Sequence, residues 1–123
     1  MRYMMLIYSR EDENASPEAM REVAMKHGVL MNDAEQKGIF RAADPLEPSS
    51  TATTVRLQDG KVLITDGPFI ETKEQLAGYY ILDCRDLDEA LEWAARIPTS
   101  CQGADGHIEV RPIREIPKPP MHG

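Results

Sequence analysis

The sequence is poor in cysteine and in positive charge, and each shortage argues against a class of function. Its two cysteines, Cys84 and Cys101, have no Cys-x-x-Cys spacing, so they indicate neither a disulfide framework nor a zinc motif. The 14 Lys and Arg residues are outnumbered by 21 Asp and Glu residues, and the net charge of -7 disfavours nucleic acid and anionic membrane surfaces as partners. No apolar run approaches the roughly 20 residues of a membrane span, and the first residues lack a signal-peptide layout. We therefore expect a cytoplasmic protein.

The length and the distribution of prolines predict one domain with a short tail. A chain of 123 residues can build one hydrophobic core but not two. No linker or internal repeat interrupts residues 1–116, whereas residues 117–123 are rich in proline and have little apolar surface to bury. We expect a domain at 1–116 and a flexible tail at 117–123.

The hydrophobic pattern predicts alternating strands and helices. Ser16-Pro17-Glu18 has the form of a helix start, and Gly38 is suited to end that helix. Asp86 begins a second capping pattern, and Asp59-Gly60 is a two-residue hairpin signal. The predicted strands lie at residues 3–8, from 39, and at 51–57, 61–65, 76–84 and 107–113.

This order favours an α+β fold, a ferredoxin-like sandwich with both helices on one face of an antiparallel sheet. The strands at 3–8 and 79–82 are apolar on both faces, so the face without helices is also apolar. A contiguous apolar face of this kind usually marks an interface. We expect a homodimer through the open sheet face, in which two sheets form a dimeric α/β barrel.

His27 is the only titratable residue on the apolar stripe of the first predicted helix. It is either a core histidine that is hydrogen bonded to a backbone carbonyl or a general acid or base. No second His or Cys lies beside it at ligand spacing, so neither a metal nor a cofactor is expected.

A polar turn at residues 66–74 separates two apolar runs. Gly67-Pro68 forces a defined turn, which holds Asp66 at the end of a strand. The turn is either structural, with a solvated rim, or a preorganised site.

Several motifs resemble the DGPF proteins of the YCII-related family: Thr65-Asp66-Gly67-Pro68-Phe69, the segment from Glu71 to Tyr80, and Glu109-Val110-Arg111-Pro112. The resemblance extends from Tyr3 to Ile113. It implies a bacterial protein with a dimeric ferredoxin-like α/β barrel. It also implies an active site made of a helix histidine and an acidic residue in a cleft, to which His27 and Asp66 correspond. Family members are often encoded beside extracytoplasmic-function sigma factors, and most have no assigned reaction.

The first functional hypothesis is a lyase, isomerase or hydrolase that transfers protons on a small carbonyl compound. His27 is the general base, and Asp66 orients the imidazole or holds the substrate, which requires the two side chains to come within hydrogen-bond reach. Lys73 or Arg111 neutralises a substrate carboxylate, unless both are ordinary solvated cations. The other expected substrate-binding residues belong to the polar turn: Gly67, Pro68, Phe69 and Glu71.

Two other hypotheses come from different classes. The chain is a non-catalytic module that binds a small ligand or acts in sigma-factor signalling, which requires a cleft but no titrating pair. RNA binding through Tyr79 and Tyr80 on a sheet face is a further reading, and the net charge of -7 argues against it.

Overall fold

The computed structural model describes residues 1–11, 15–99 and 106–117. Within these ranges, no helix is both long enough and apolar enough to cross a membrane. The elements, in chain order, are β1 (Arg2–Ser9), α1 (Pro17–Gln36), β2 (Phe40–Pro45), one 3-10 turn (Ser49–Thr51), β3 (Thr53–Gln58), β4 (Lys61–Asp66), β5 (Gln75–Asp83), α2 (Leu87–Ala94) and β6 (Gly106–Pro112).

Four strands form one antiparallel sheet in the order β2-β5-β1-β6, and β3 and β4 form a separate two-stranded sheet. The α+β class is therefore confirmed, with two helices and an antiparallel sheet. In the single chain this sheet is open, and it does not close into a barrel. The expected tail at 117–123 lies outside the described residues except for Pro117.

The core lies between one face of the sheet and the helices. Side chains alternate along β1 and β5, and every second one is buried. Complete burial of a side chain such as Met5 or Leu82 contributes about 1.5–3 kcal/mol. The other face carries no helix, so Met4, Leu6 and Ile81 remain partly exposed there. The buried set is Tyr3, Met5, Ile7, Leu30, Ala34, Tyr80, Leu82, Cys84, Ala90, Trp93, Ala94 and Ile97.

The helix boundaries confirm the sequence signals. The Ser16 hydroxyl accepts a hydrogen bond from the Ala19 amide at 3.1 Å, and Gly38 follows α1 with a φ of 73°. Asp86 caps α2 by accepting from the Glu89 amide at 2.9 Å. The predicted apolar stripe of α1, which begins at Met20, is buried only in the second half of the helix: Met20 is exposed, whereas Leu30 and Ala34 are buried.

The hairpin between β3 and β4 has the predicted turn. Asp59 and Gly60 have φ angles of 50° and 75°, the left-handed conformation that a tight two-residue turn requires. The strand that the sequence predicts from residue 39 begins at Phe40, and it continues through Asp44 and Pro45. Since β2 pairs directly with β5, the hairpin is an insertion outside the main sheet.

Candidate functional site

His27 projects from α1 toward the helix-covered face of the sheet, where it meets Tyr80 of β5. The His27 Nδ1 and Tyr80 Oη atoms are 2.6 Å apart, and the two ring centroids are 5.8 Å apart. Tyr80 is buried and His27 is half-buried. The imidazole therefore has a defined side-chain partner, and it is not the core histidine bonded to a carbonyl that the sequence also allowed.

The environment moves the two pKa values in opposite directions. Desolvation lowers the pKa of His27 below its usual value of 6.5, because burial disfavours the charged imidazolium. Desolvation also raises the pKa of Tyr80 to about 12, because burial disfavours the phenolate. At neutral pH the pair thus consists of a neutral imidazole and a neutral phenol. Such an imidazole can accept a proton, and the phenol can hold one ring nitrogen in place.

Two proton arrangements satisfy the His27–Tyr80 hydrogen bond. In the first, Oη donates to Nδ1, and Nε2 carries the ring hydrogen. In the second, Nδ1 donates to Oη, and Nε2 has a free lone pair. Only the second arrangement leaves a proton acceptor on the far side of the ring.

Asp66 occupies the end of β4 in the separate two-stranded sheet and is exposed. In the described residues it makes no hydrogen bond with His27, whose ring is bonded to Tyr80. The single chain therefore does not form the expected His27–Asp66 pair. The reason is topological: the hairpin that carries Asp66 is not part of the sheet that α1 covers.

The polar turn itself is preorganised. Gly67 has a φ of 90°, a conformation that disfavours any residue with a Cβ. Its amide donates to the Ala52 carbonyl at 2.7 Å, and its carbonyl accepts from the Thr54 hydroxyl at 2.7 Å. These bonds fasten the base of the hairpin and fix the direction in which the chain leaves Asp66.

The other predicted binding residues are spread over the surface. Phe69 is exposed with the Arg56 guanidinium 4.8 Å from its ring centroid, and Glu71 is also exposed. Arg111 is exposed on β6, 3.8 Å from a carboxylate oxygen of Glu109. Lys73 alone among them lines an open depression of about 390 Å³, together with Arg10, Glu11 and Gln75.

An imidazole–carboxylate pair lies on the open face and was missed from the sequence. His107 Nδ1 is 3.3 Å from Glu74 Oε1, and the His107 ring stacks on Tyr8 with 4.8 Å between centroids. Tyr8 and His107 are directly opposite in the β1–β6 register. Because this register comes from pairing between strands distant in sequence, no local motif could reveal the cluster.

Tyr79 and Tyr80 lie on opposite faces of β5, so they do not form one stacking platform. Tyr80 faces His27, whereas the Tyr79 hydroxyl donates to Asp44 Oδ2 at 2.6 Å on the open side. This arrangement removes the structural basis of the RNA-binding hypothesis. In the described ranges no group of three or more His, Cys, Asp or Glu side chains is placed to hold a metal ion.

Comparison with known proteins identifies the family. The family model of the YCII-related domain matches residues 1–117. An uncharacterized protein of Rhizobium meliloti (strain 1021) is 35% identical over 115 residues, which cover 92% of this chain and 92% of that protein. Both matches span nearly the whole chain, and the chain belongs to the YCII-related family.

Proposed function

We propose that this protein is an enzyme that moves a proton on a small carbonyl compound, as a lyase, isomerase or hydrolase, with His27 as its general base. The observation that carries the proposal is the 2.6 Å contact between His27 Nδ1 and Tyr80 Oη. The neutral Tyr80 hydroxyl holds the half-buried His27 ring in one orientation. The ring is itself neutral, which is the protonation state that a general base requires.

The proposed step uses the arrangement in which His27 Nδ1 donates to Tyr80 Oη. The Nε2 lone pair then takes a proton from the carbon beside the substrate carbonyl, and the electron pair of the broken C–H bond moves to the carbonyl oxygen as an enolate. The His27 imidazolium returns the proton to the enolate, which restores the neutral ring. Tyr80 Oη can accept from Nδ1 before and after this transfer, so the ring does not need to turn. A positioned base of this kind accelerates proton transfer by roughly 10²- to 10⁴-fold.

The polar turn supplies substrate contacts in this proposal. Lys73 and Arg10 border the same depression, and either cation can pair with a substrate carboxylate. Of the two roles expected of Asp66, this proposal keeps that of holding the substrate, because the His27 ring is bonded to Tyr80 and Asp66 lies on an element separate from α1. Gly67, Pro68, Phe69 and Glu71 shape the turn around it. Arg111 is a third candidate cation, but it lies on the open face, across the sheet from His27.

We also propose that two copies pack through the open sheet face and form a dimeric α/β barrel of the ferredoxin-like type. Support comes from the partly exposed apolar residues Met4, Leu6 and Ile81, which no helix covers in the described residues. Face-to-face packing with two-fold symmetry buries all three at once.

A second candidate function is a non-catalytic module that binds a small ligand and acts with an extracytoplasmic-function sigma factor. The depression between Arg10, Glu11, Lys73 and Gln75 favours it, because charged side chains around a hollow can bind an anion without a titrating pair.

Deuterium exchange can test the enzyme hypothesis without a known product. A panel of small keto acids and lactones is incubated with the protein in D₂O, and loss of the proton beside the carbonyl is followed by ¹H NMR. We expect exchange with the wild type, a fall of at least about 100-fold in His27→Gln, and little change in His107→Gln. Loss of deuterium exchange in His107→Gln but not in His27→Gln would indicate that the active site lies on the open face. Saturable binding without exchange would favour the ligand-binding module.

A further inference from the structure

The hairpin formed by β3 and β4 is the least buried part of the described fold. Every residue of its two strands except Thr54 is exposed, and neither strand pairs with the main sheet. A two-stranded hairpin is marginally stable in water when nothing packs against it. This hairpin therefore requires a partner surface to remain ordered.

The two faces of the hairpin differ sharply. Directly opposed residues of an antiparallel pair share a face, so Val55 lies beside Ile64, and Leu57 lies beside Val62. The other face carries Arg56 with Leu63, Gln58 with Lys61, and two threonines. We call the first set the apolar hairpin face; its side chains Val55, Leu57, Val62 and Ile64 are 64%, 75%, 63% and 67% exposed.

We propose that the apolar hairpin face packs against the same face of a second copy of this chain. The face is a flat strip of four aliphatic side chains, and a strip of this kind complements itself about a two-fold axis. The hairpin carries two cations, Arg56 and Lys61, and two anions, Asp59 and Asp66. The hairpin therefore has no net charge, although the whole chain has a charge of -7. Two hairpins can approach each other without net electrostatic repulsion.

The exposed side chains of the strip provide the apolar area for this contact. All four are between 63% and 75% exposed in the single chain, and contact with a second copy would bury them together.

The alternation along β4 also places Asp66 on the apolar hairpin face, two residues beyond Ile64. The carboxylate then lies at the rim of the contact, directed toward the second copy and not toward its own α1. In this arrangement Asp66 remains apart from the His27 of its own chain, as the topology already requires.

The test uses a matched pair of hairpin variants. Val55→Thr with Ile64→Thr keeps β-branched side chains and makes the apolar hairpin face polar, whereas Leu63→Thr makes a similar change on the opposite face. The dissociation constant of the dimer is measured by sedimentation over a dilution series. We expect the double variant to raise this constant by about 100-fold. Leu63→Thr should leave it unchanged. Leu6→Thr, on the open sheet face, reports separately on the barrel contact.

Hydrogen exchange of the hairpin amides provides the direct readout. In the wild type we expect protection in β3 and β4 that decreases on dilution and is lost in the double variant. Protection of these amides in a chain that sediments as a monomer would mean that the face is covered within one chain, and it would overturn the proposal. Association that the double variant leaves intact would also overturn it, and would leave the barrel contact as the source of the dimer. A monomer with unprotected hairpin amides would contradict both contacts.

Discussion

His27 and Tyr80 are 53 positions apart in the sequence, and the His27 Nδ1 and Tyr80 Oη atoms are 2.6 Å apart in the fold. The pair joins the middle of α1 to the helix-covered face of β5. Its strength as a structural contact can be measured independently of any reaction.

The first prediction concerns the tyrosine hydroxyls. Tyr80→Phe removes the partner of His27 Nδ1 and leaves a half-buried polar atom unpaired, so we expect the free energy of unfolding to fall by about 1–3 kcal/mol. Tyr79→Phe is the matched control, because that hydroxyl bonds to Asp44 on the other face of the sheet and has no contact with His27. Urea unfolding of both variants checks this, and equal losses would contradict the special role of Tyr80.

The second prediction is a pH dependence of stability. The pKa of His27 lies below 6.5 in the folded state, so below pH 6.5 the unfolded chain binds a proton that the folded chain resists. The contribution of neutral His27 to the free energy of unfolding should therefore be fully present above that pH. It should decrease as the pH falls toward the pKa of the folded state, by at most about 1.4 kcal/mol per pH unit. In His27→Gln this part of the slope should disappear, whereas His107→Gln should retain it. Urea midpoints between neutral and mildly acidic pH give the slopes, and an unchanged slope in His27→Gln would refute the assignment.

The third prediction compares two glycines. A Cβ on Gly78 would lie 2.7 Å from the Asp44 carbonyl oxygen and 3.2 Å from Pro45 Cα, so β5 and β2 could not keep their spacing. We expect Gly78→Ala to cost about 1–3 kcal/mol through overpacking. Gly28, in α1, has nothing within 4 Å of its Cβ position, and Gly28→Ala should stabilise the helix by about 0.5–1 kcal/mol. Thermal unfolding of the two variants should shift in opposite directions.

The fourth prediction concerns Cys84. Desolvation raises the pKa of its buried thiol to about 11. The thiolate fraction at mildly alkaline pH is then about 100-fold lower than for a thiol with the usual value. In a Cys101→Ser background, we expect negligible reaction with a disulfide reagent in the native protein and rapid reaction in denaturing urea. Rapid labelling of the native variant would show that Cys84 is accessible.

The parts of the fold that the sequence predicts correctly depend on local chemistry. Ser16, Gly38 and Asp86 mark helix ends because capping needs only residues a few positions away. Asp59-Gly60 gives the hairpin turn for the same reason. These signals require no knowledge of what the elements pack against.

The site depends on contacts between distant segments, and there the sequence reading was incomplete. It placed His27 on the correct helix face but paired it with Asp66, because the family resemblance implies a helix histidine and an acidic residue in one cleft. The actual partner, Tyr80, was read as an apolar strand residue. The alternation along β5 places Tyr80 on the face that α1 covers, but only the packing of α1 on the sheet brings His27 within reach.

The measurement that tests the central claim most directly is a ¹⁵N–¹H NMR pH titration of the His27 ring in the wild type, Tyr80→Phe and Asp66→Asn. We predict a neutral ring with its hydrogen on Nδ1, a pKa below 6.5, a change of the Nδ1 shift in Tyr80→Phe, and no change in Asp66→Asn. A ring with its hydrogen on Nε2, or one that Tyr80→Phe leaves unchanged, would contradict the proposed base.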